Sequence, residues 1–207
     1  YSIKREDNGK VSLGDSGVNH KYMIGLSDNL TEQWIEKDAL AKMNTYEFDT
    51  GKAEKLMEAA GYKKGADGIY ADSAGKALEF EITFPAEFAD WSASAENTVQ
   101  QLNAAGFKVT GRGVQFQQAG QDRAAGKYTV TYGGWGAGNP HPYFSYQTPL
   151  FQNNYIESTT GKGMNFPMKQ KVGDKEVDLQ ALIVDSAVGL DEGAQKTKIS
   201  EVAAVFN

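Results

Sequence analysis

The sequence contains no cysteine and only two histidines, His20 and His141, which lie far apart along the chain. The absence of thiols excludes disulfides, cysteine nucleophiles and thiolate sites for zinc or iron–sulfur clusters. Two distant histidines also argue against a histidine-rich metal site. We therefore expect neither a metal nor a cofactor, and an enzyme of this composition would depend on carboxylates, hydroxyls and lysines.

The chain also lacks a basic surplus and a long apolar run. Its 207 residues carry a formal net charge of −6, and the 21 basic residues are scattered. Nucleic acid and anionic membrane surfaces are therefore poor partners. No apolar run approaches the roughly 20 residues of a membrane-spanning helix, and no signal peptide is present. Because 40% of the residues are hydrophobic, a chain of this length can build a real core.

Both ends of the sequence indicate a fragment of a longer protein. The chain begins at Tyr1 rather than at a methionine, and the amphipathic pattern of Ile199, Val202 and Phe206 is still in helical phase at Asn207. A helix normally closes with punctuation such as glycine or a basic last turn. We treat residues 1–207 as a single domain cut from that longer protein.

Periodicity predicts alternating helices and strands. A helix starting at Asp49 or Thr50 ends at Gly61, and a second helix over 92–105 ends at Gly106. In each, the aromatic residue after the glycine should fold back in a Schellman cap. The further predictions are strands at 78–84, 107–114 and 128–132, helices at 31–43, 116–125 and from 179 onward, a polar loop at 151–175, and a turn-rich segment over 1–45 that wraps the domain. This order is typical of an α/β fold with a mixed sheet.

Two carboxylate pairs could carry chemistry, but each has a simpler interpretation. Asp67 and Asp72 lie in a glycine-rich segment without the regular oxygen ligands of a calcium loop, so a plain turn is favoured. Glu79 and Glu81 alternate with apolar residues on a strand, which favours a solvated face over an acid–base pair. His141 lies between two prolines without a surrounding triad motif, and we interpret it as an exposed turn residue.

The segment from Gly133 to Tyr146 has the composition of a binding surface. A short strand leads into Gly133-Gly-Trp-Gly-Ala-Gly138, which is followed by Asn139 and a cluster of aromatic residues. Glycines allow another surface to approach the backbone closely, and aromatic rings supply flat faces. The segment has no Lys-Ser/Thr of a phosphate loop. The alternative interpretation is an aromatic turn that closes the edge of a core.

Seven motifs, in order along the chain, resemble family 5 extracytoplasmic solute-binding proteins, which serve ABC importers of peptides, nickel chelates and oligosaccharides. The motifs are Trp34-Ile-Glu-Lys-Asp38, Tyr46-Glu-Phe-Asp49, Lys52-Ala-Glu-Lys-Leu-Met-Glu-Ala-Ala-Gly-Tyr62, Asp67-Gly-Ile with Asp72 and Gly75-Lys76, Phe84-Pro with Asp90-Trp91, Gln101-Leu-Asn-Ala-Ala-Gly-Phe107, and the Trp135 loop. The resemblance covers nearly all of residues 27–207. It implies a class II periplasmic-binding-protein-like lobe, with a mixed sheet flanked by helices, whose ligand lies between two lobes that close by hinge motion. Residues 1–207 would then be the central part of the second lobe.

The resemblance also indicates the class of ligand. Peptide binders of the family typically carry Trp-x-Ala-Asp, whose aspartate pairs with the α-amino group of the peptide, whereas the matching position here is Gly138. Without that carboxylate the usual anchoring of a peptide is in doubt, because a buried ammonium without a partner is costly. The aromatic continuation looks closer to members that bind oligosaccharides. We predict Trp135, Tyr143 and Trp91 as stacking residues, Asn139 as a polar contact and Gly138 as the altered anchor, with a core role in the second helix as the alternative for Trp91.

The predicted function is therefore that of a non-catalytic, monomeric receptor which delivers an oligosaccharide or an oligopeptide to an ABC importer permease, with the oligosaccharide favoured. The resemblance implies a bacterial, extracytoplasmic location, in the periplasm or on the outer face of the membrane as a lipoprotein. An oligopeptide receptor with a non-standard amino anchor and a carboxylate-dependent fragment of a glycoside hydrolase remain as alternatives. Two acids about 5 to 10 Å apart across a cleft would favour the hydrolase.

Overall fold

The computed structural model describes residues 2–5, 11–14, 21–134, 139–154 and 163–207. In chain order the elements are β1 (Ser2–Arg5), β2 (Val11–Gly14), α1 (Asp28–Trp34), α2 (Lys37–Leu40), α3 (Thr50–Ala59), β3 (Lys63–Lys64), β4 (Tyr70–Ala71), β5 (Glu79–Pro85), α4 (Ala89–Ala105), β6 (Lys108–Val114), α5 (Phe116–Ala124), β7 (Val130–Thr131), α6 (Pro142–Gln147), a π-helical turn (Thr148–Gln152), β8 (Lys169–Val172), β9 (Lys175–Asp178), α7 (Leu179–Asp185) and α8 (Glu192–Phe206). They form two compact units. The first unit comprises Tyr1–Glu47, Trp135–Gln152 and Phe166–Asn207, and the second comprises Phe48–Gly134 and Asn153–Asn165.

A three-stranded parallel sheet organises the second unit. β5 is central, with β6 on one side and β7 on the other. Ile82 pairs with Gly111 of β6 and with Val130 of β7, and Ile82 is 1% exposed. The α/β fold is confirmed. Parallel and antiparallel pairing occur in separate sheets, since the antiparallel pairs β1–β2, β3–β4 and β8–β9 are each two-stranded.

Local capping fixes the ends of the two helices predicted in this unit. The side chain of Asp49 accepts from the Lys52 N–H at the start of α3. At the end, the Tyr62 N–H donates to the Met57 carbonyl at 3.0 Å, across Gly61 with φ of +89°. The backbone of α4 ends the same way, and both predicted Schellman caps are confirmed.

The strand predicted over 128–132 is shorter in the structure, where β7 contains only Val130 and Thr131. Tyr132, the residue after β7, is nevertheless held by hydrogen bonds. The Tyr132 N–H donates to the Thr83 carbonyl at 2.8 Å. The Tyr132 hydroxyl lies 2.6 Å from Thr98 Oγ1 and donates to the Ser94 carbonyl at 3.0 Å. These bonds tie the end of β7 to α4.

Helices form the core of the first unit. Its fully buried side chains include Ile24, Leu26, Tyr146, Leu150, Leu179, Ile183, Ile199 and Val202. The Tyr146 hydroxyl donates to the Ile24 carbonyl at 2.9 Å, and burial raises the pKa of this phenol. The turn-rich start of the chain was predicted to wrap the domain, and that prediction is wrong for 24–35, because Ile24, Leu26 and Trp34 are core residues.

Three local features differ from the sequence-based expectation. The helix predicted over 31–43 is broken at Ile35, where the backbone is extended, and the Glu36 N–H donates to Ser200 Oγ at 2.9 Å. The polar loop predicted over 151–175 contains β8, which forms a hairpin with β9 through Gly173 at φ of +60°. The segment after His141, for which no helix was predicted, forms α6.

Candidate functional site

The carboxyl ends of the three parallel strands meet at one edge of the second unit. β5 ends at Pro85, β6 at Val114 and β7 at Thr131. In open α/β sheets, ligands bind outside this edge, where connections lead to opposite faces of the sheet. The chain order β6-β5-β7 creates such a reversal, because the connection from β5 to β6 runs one way and that from β6 to β7 runs back across β5.

An aromatic cluster of Phe88, Trp91 and Phe116 lies at this edge. The Phe88 ring is 5.5 Å from the Trp91 ring and 5.3 Å from the Phe116 ring, in tilted and edge-to-face arrangements. Phe88 is 40% exposed and Phe116 is 47% exposed, whereas Trp91 is half-buried. Large rings that stay accessible at a sheet edge offer flat apolar faces to a ligand.

Glu87, in the loop after β5, links that loop to the start of α5. Both of its carboxylate oxygens lie 2.9 Å from the Phe116 N–H at the start of α5. The residue at the N-cap position, Gln115, makes no capping hydrogen bond with its side chain. A carboxylate at a helix N-terminus satisfies a free N–H and interacts favourably with the helix dipole. Glu87 thus holds Phe116 beside Phe88.

The glycines after β7 were predicted to allow a close approach to the backbone. At Gly133 the approaching group is a side chain of this protein, since an added Cβ would lie 2.5 Å from Arg123 Nη1. An added Cβ at Gly134 would meet nothing within 4 Å. Burial raises the pKa of the nearby Tyr128 phenol, and the positive charge of Arg123 lowers it by less. The side of Gly134 on which a Cβ would stand is therefore free, whereas Gly133 is in contact with Arg123.

In the first unit, the segment from Asn139 to Tyr143 is held by Trp34. Trp34 Nε1 donates to the Pro140 carbonyl at 3.1 Å, and the His141 ring packs edge-to-face against the indole with centroids 4.4 Å apart. His141 Nδ1 accepts from the Tyr143 N–H at 3.1 Å and caps α6. The interpretation of His141 as an exposed turn residue is wrong, because the ring is partly buried against Trp34.

The predicted site residues are distributed as follows. Trp135 and Gly138 lie outside the described residues. Asn139 and Tyr143 are half-buried in the first unit, and the Tyr143 ring packs edge-to-face on Phe144 with centroids 5.2 Å apart. Trp91 belongs to the second unit, where its half-buried position fits both a ligand contact and a place on the inner face of α4.

Sequence reasoning missed two members of the aromatic cluster, Phe88 and Phe116. Phe88 lies shortly after the end of β5 at Pro85, and Phe116 lies shortly after the end of β6 at Val114. That position at the carboxyl ends of parallel strands was the signal which could have identified them.

The carboxylate candidates have structural roles. Asp67 Oδ1 accepts from the Ile69 N–H and Asp72 Oδ1 from the Ala74 and Lys76 N–H groups, as in plain turns. Glu79 pairs with Lys108 at 3.0 Å and Glu81 with Arg112 at 2.8 Å on a solvated face. Both interpretations are confirmed. Across the described ranges, no group of three or more His, Cys, Asp or Glu side chains could hold a metal ion.

None of the helices in the described ranges combines the length and the apolar character that a membrane span needs.

The sequence matches the family model described as bacterial extracellular solute-binding proteins, family 5 Middle, over residues 1–156. No curated protein matches the chain.

Several solved structures are similar to the chain. A mannohexaose-bound periplasmic oligopeptide-binding protein of an ABC transporter from Thermotoga maritima is 19% identical, with a TM-score of 0.64, over 89% of this chain and 32% of that one. MelB from Agrobacterium fabrum in complex with stachyose is 14% identical, with a TM-score of 0.60, over 78% of this chain and 25% of that one. The oligopeptide-binding protein AppA from Bacillus subtilis, in complex with a nonapeptide, is 18% identical, with a TM-score of 0.53, over 76% of this chain and 29% of that one.

At these identities the likeness shows the fold alone, which is that of a periplasmic-binding-protein lobe. The chain spans between a quarter and a third of the length of these three proteins.

Proposed function

Because this chain belongs to the bacterial extracellular solute-binding proteins of family 5, we propose that it is the central part of the second lobe of a two-lobed receptor for an ABC importer. The receptor is extracytoplasmic, monomeric and non-catalytic, and it is held at the outer face of the membrane as a lipoprotein or is free in the periplasm. It delivers an oligosaccharide to the permease of the importer.

The absence of acidic residues from the sequence that contains the Trp135 loop supports the choice of ligand. No aspartate or glutamate occurs between Asp122 and Glu157 in the sequence. This stretch includes the loop and Tyr143, so the segment supplies no carboxylate for the ammonium group of a peptide. A desolvated ammonium without such a partner is unfavourable. The ligand is therefore neutral where it meets this segment.

Aromatic rings supply the remaining contact surface. In the second unit, the cluster of Phe88, Trp91 and Phe116 offers accessible apolar faces at the carboxyl edge of the sheet. We assign Trp135 and Tyr143 the same stacking role and Asn139 a hydrogen bond to a sugar hydroxyl. The C–H faces of sugar rings are apolar, so stacking on aromatics removes this surface from water.

The second candidate is an oligopeptide receptor that anchors the amino end of its ligand by another group. The nonapeptide bound to AppA, a protein of similar fold, favours this candidate. A backbone carbonyl or a carboxylate of the first lobe would then replace the missing aspartate.

Thermal-shift screening of the full-length protein tests the proposal. Cello-, xylo-, manno- and galacto-oligosaccharides are compared with a pool of oligopeptides, because a tight ligand raises the melting temperature by mass action. We expect a shift with one oligosaccharide series. Trp135→Ala should weaken binding of that series by about 1 to 3 kcal/mol through lost apolar contact, and Gly138→Asp should not improve it.

The matched control is Phe48→Ala, which removes an aromatic ring that is 94% exposed and outside the proposed site. It should leave the affinity unchanged. A shift with peptides alone contradicts the sugar assignment and supports the peptide receptor. Release of shorter sugars during the incubation contradicts the non-catalytic assignment and supports the glycoside hydrolase alternative.

A further inference from the structure

We propose that His141 is a positioning residue whose neutral imidazole holds Tyr143 in place, so that solute binding weakens when the ring takes up a proton. The link from Tyr143 to the solute rests on the proposed function, whereas the pH-dependent hold on Tyr143 does not. His141, Tyr143 and the side chains around them all belong to the first unit.

The hydrogen bond between His141 and Tyr143 requires a neutral ring. His141 Nδ1 accepts from the Tyr143 N–H at 3.1 Å, which places a lone pair on Nδ1 and the proton of the neutral tautomer on Nε2. A proton on Nδ1 removes the acceptor and directs a second donor at the same N–H. Protonation therefore breaks the cap at the start of α6 and releases the Tyr143 N–H.

The ring is also partly removed from water, which disfavours a positive charge on it. One face of the site is the Trp34 indole, which is 7% exposed and contacts the imidazole edge-to-face. On the α8 side, Lys196 Nζ lies 6.0 Å from the Trp34 ring centroid and pairs with Glu192 at 2.8 Å. Nε2 is buried without a hydrogen bond to any described residue, although the amide side chain of Gln195 is close enough to interact with the ring.

These surroundings determine the direction of the pH effect. Burial lowers the pKa of His141, and the interaction with Gln195 raises it by less. A histidine that is free in solution titrates near pH 6.5. Because the folded-state pKa of His141 is lower than this value, the cap is fully formed above about pH 6.5. The cap is lost as the pH falls through the folded-state pKa. Tyr143 is thus held at neutral pH and released in acid.

Nuclear magnetic resonance of the full-length, solute-free protein tests the hold on Tyr143. Between about pH 4.5 and 8, the Tyr143 amide and the Trp34 indole N–H should shift with one shared midpoint below about 6.5. His141→Asn keeps an acceptor at the position of Nδ1, and asparagine is a favourable N-cap residue. This variant should therefore hold Tyr143 without any titration. The matched control, His20→Asn, removes the other histidine of the sequence and should leave the midpoint unchanged.

Calorimetry with mannohexaose as the probe tests the link to binding. The affinity of the wild-type protein for mannohexaose should fall by about tenfold for each pH unit below the midpoint, because His141 takes up one proton when Tyr143 is released. The affinity of His141→Asn should stay constant over that range. The proposal is overturned by a Tyr143 amide without a midpoint below 6.5, by the same titration in His141→Asn, or by a wild-type affinity that ignores the midpoint. If mannohexaose binds at no pH, manno-oligosaccharides are excluded as the solute, and the resonance data alone decide the role of His141.

Discussion

Two glycines end their helices in the same backbone conformation but in different surroundings. Gly61 has a φ of +89° and Gly106 a φ of +103°, both in the left-handed region. An added Cβ at Gly61 would meet nothing within 4 Å, whereas at Gly106 it would lie 2.8 Å from the Gly68 carbonyl oxygen. The Gly106 carbonyl also accepts from the Tyr70 N–H at 2.7 Å, so the backbone cannot shift freely.

Gly61→Ala should therefore cost about 1 kcal/mol of stability, from backbone strain alone. Gly106→Ala should cost at least about 1 kcal/mol more, because the new methyl group meets a backbone atom that has no rotamer to change. Urea denaturation of the two variants measures the difference directly. Equal midpoints would show that the close approach of Gly68 contributes nothing to stability.

Both caps could be predicted from sequence because their geometry depends on neighbours within a few residues. His141 could not be placed in that way. Its ring contacts Trp34, which lies far away along the sequence, and no pattern around His141 indicates that contact. The same limit applies to Phe88 and Phe116, which meet only after β5 and β6 have paired.

At the scale of elements, strongly periodic segments were predicted well and short ones were not. α4 begins at Ala89 rather than at Ser92, and β6 begins at Lys108, so the boundaries differ by only a few residues. The prediction of one helix over 31–43 was wrong, because the Glu36 N–H donates to the side chain of Ser200, on a helix at the far end of the sequence. The hairpin of β8 and β9 was missed because its strands are mostly exposed and carry no apolar alternation.

The junction between β5 and α5 depends on Glu87, and its removal is the test at this scale. Glu87→Ala leaves the Phe116 N–H without its acceptor, and we expect a loss of about 0.5 to 1.5 kcal/mol. Glu87→Gln keeps an oxygen acceptor and should recover most of that stability. Thermal unfolding of the three proteins measures the effect. If the glutamine variant is as unstable as the alanine variant, the stabilisation comes from the charge rather than from the hydrogen bond.

At the scale of the whole molecule, the second unit contains the parallel sheet with its aromatic edge, and the first unit contains the helical core with the capped α6. In the proposed receptor this chain supplies one side of the ligand site and the absent lobe supplies the other. At the edge of the sheet, the cluster of Phe88, Trp91 and Phe116 offers accessible rings, because the two phenylalanine side chains are 40% and 47% exposed. A ligand held on one side retains much of its contact with water.

The 207-residue chain should therefore fold by itself but bind its solute weakly, since tight sites bury 70 to 90% or more of a ligand as a rule of thumb. Calorimetry should compare this chain with the full-length protein, using the oligosaccharide that gives the largest thermal shift. We expect a dissociation constant well above about 1 µM for the chain and a much lower one for the full-length protein. Trp135→Ala in the full-length protein is the control, because it removes contact area while both lobes remain. Micromolar or tighter binding by the 207-residue chain would mean that this lobe holds the solute without its partner, and the two-lobed site would have to be abandoned.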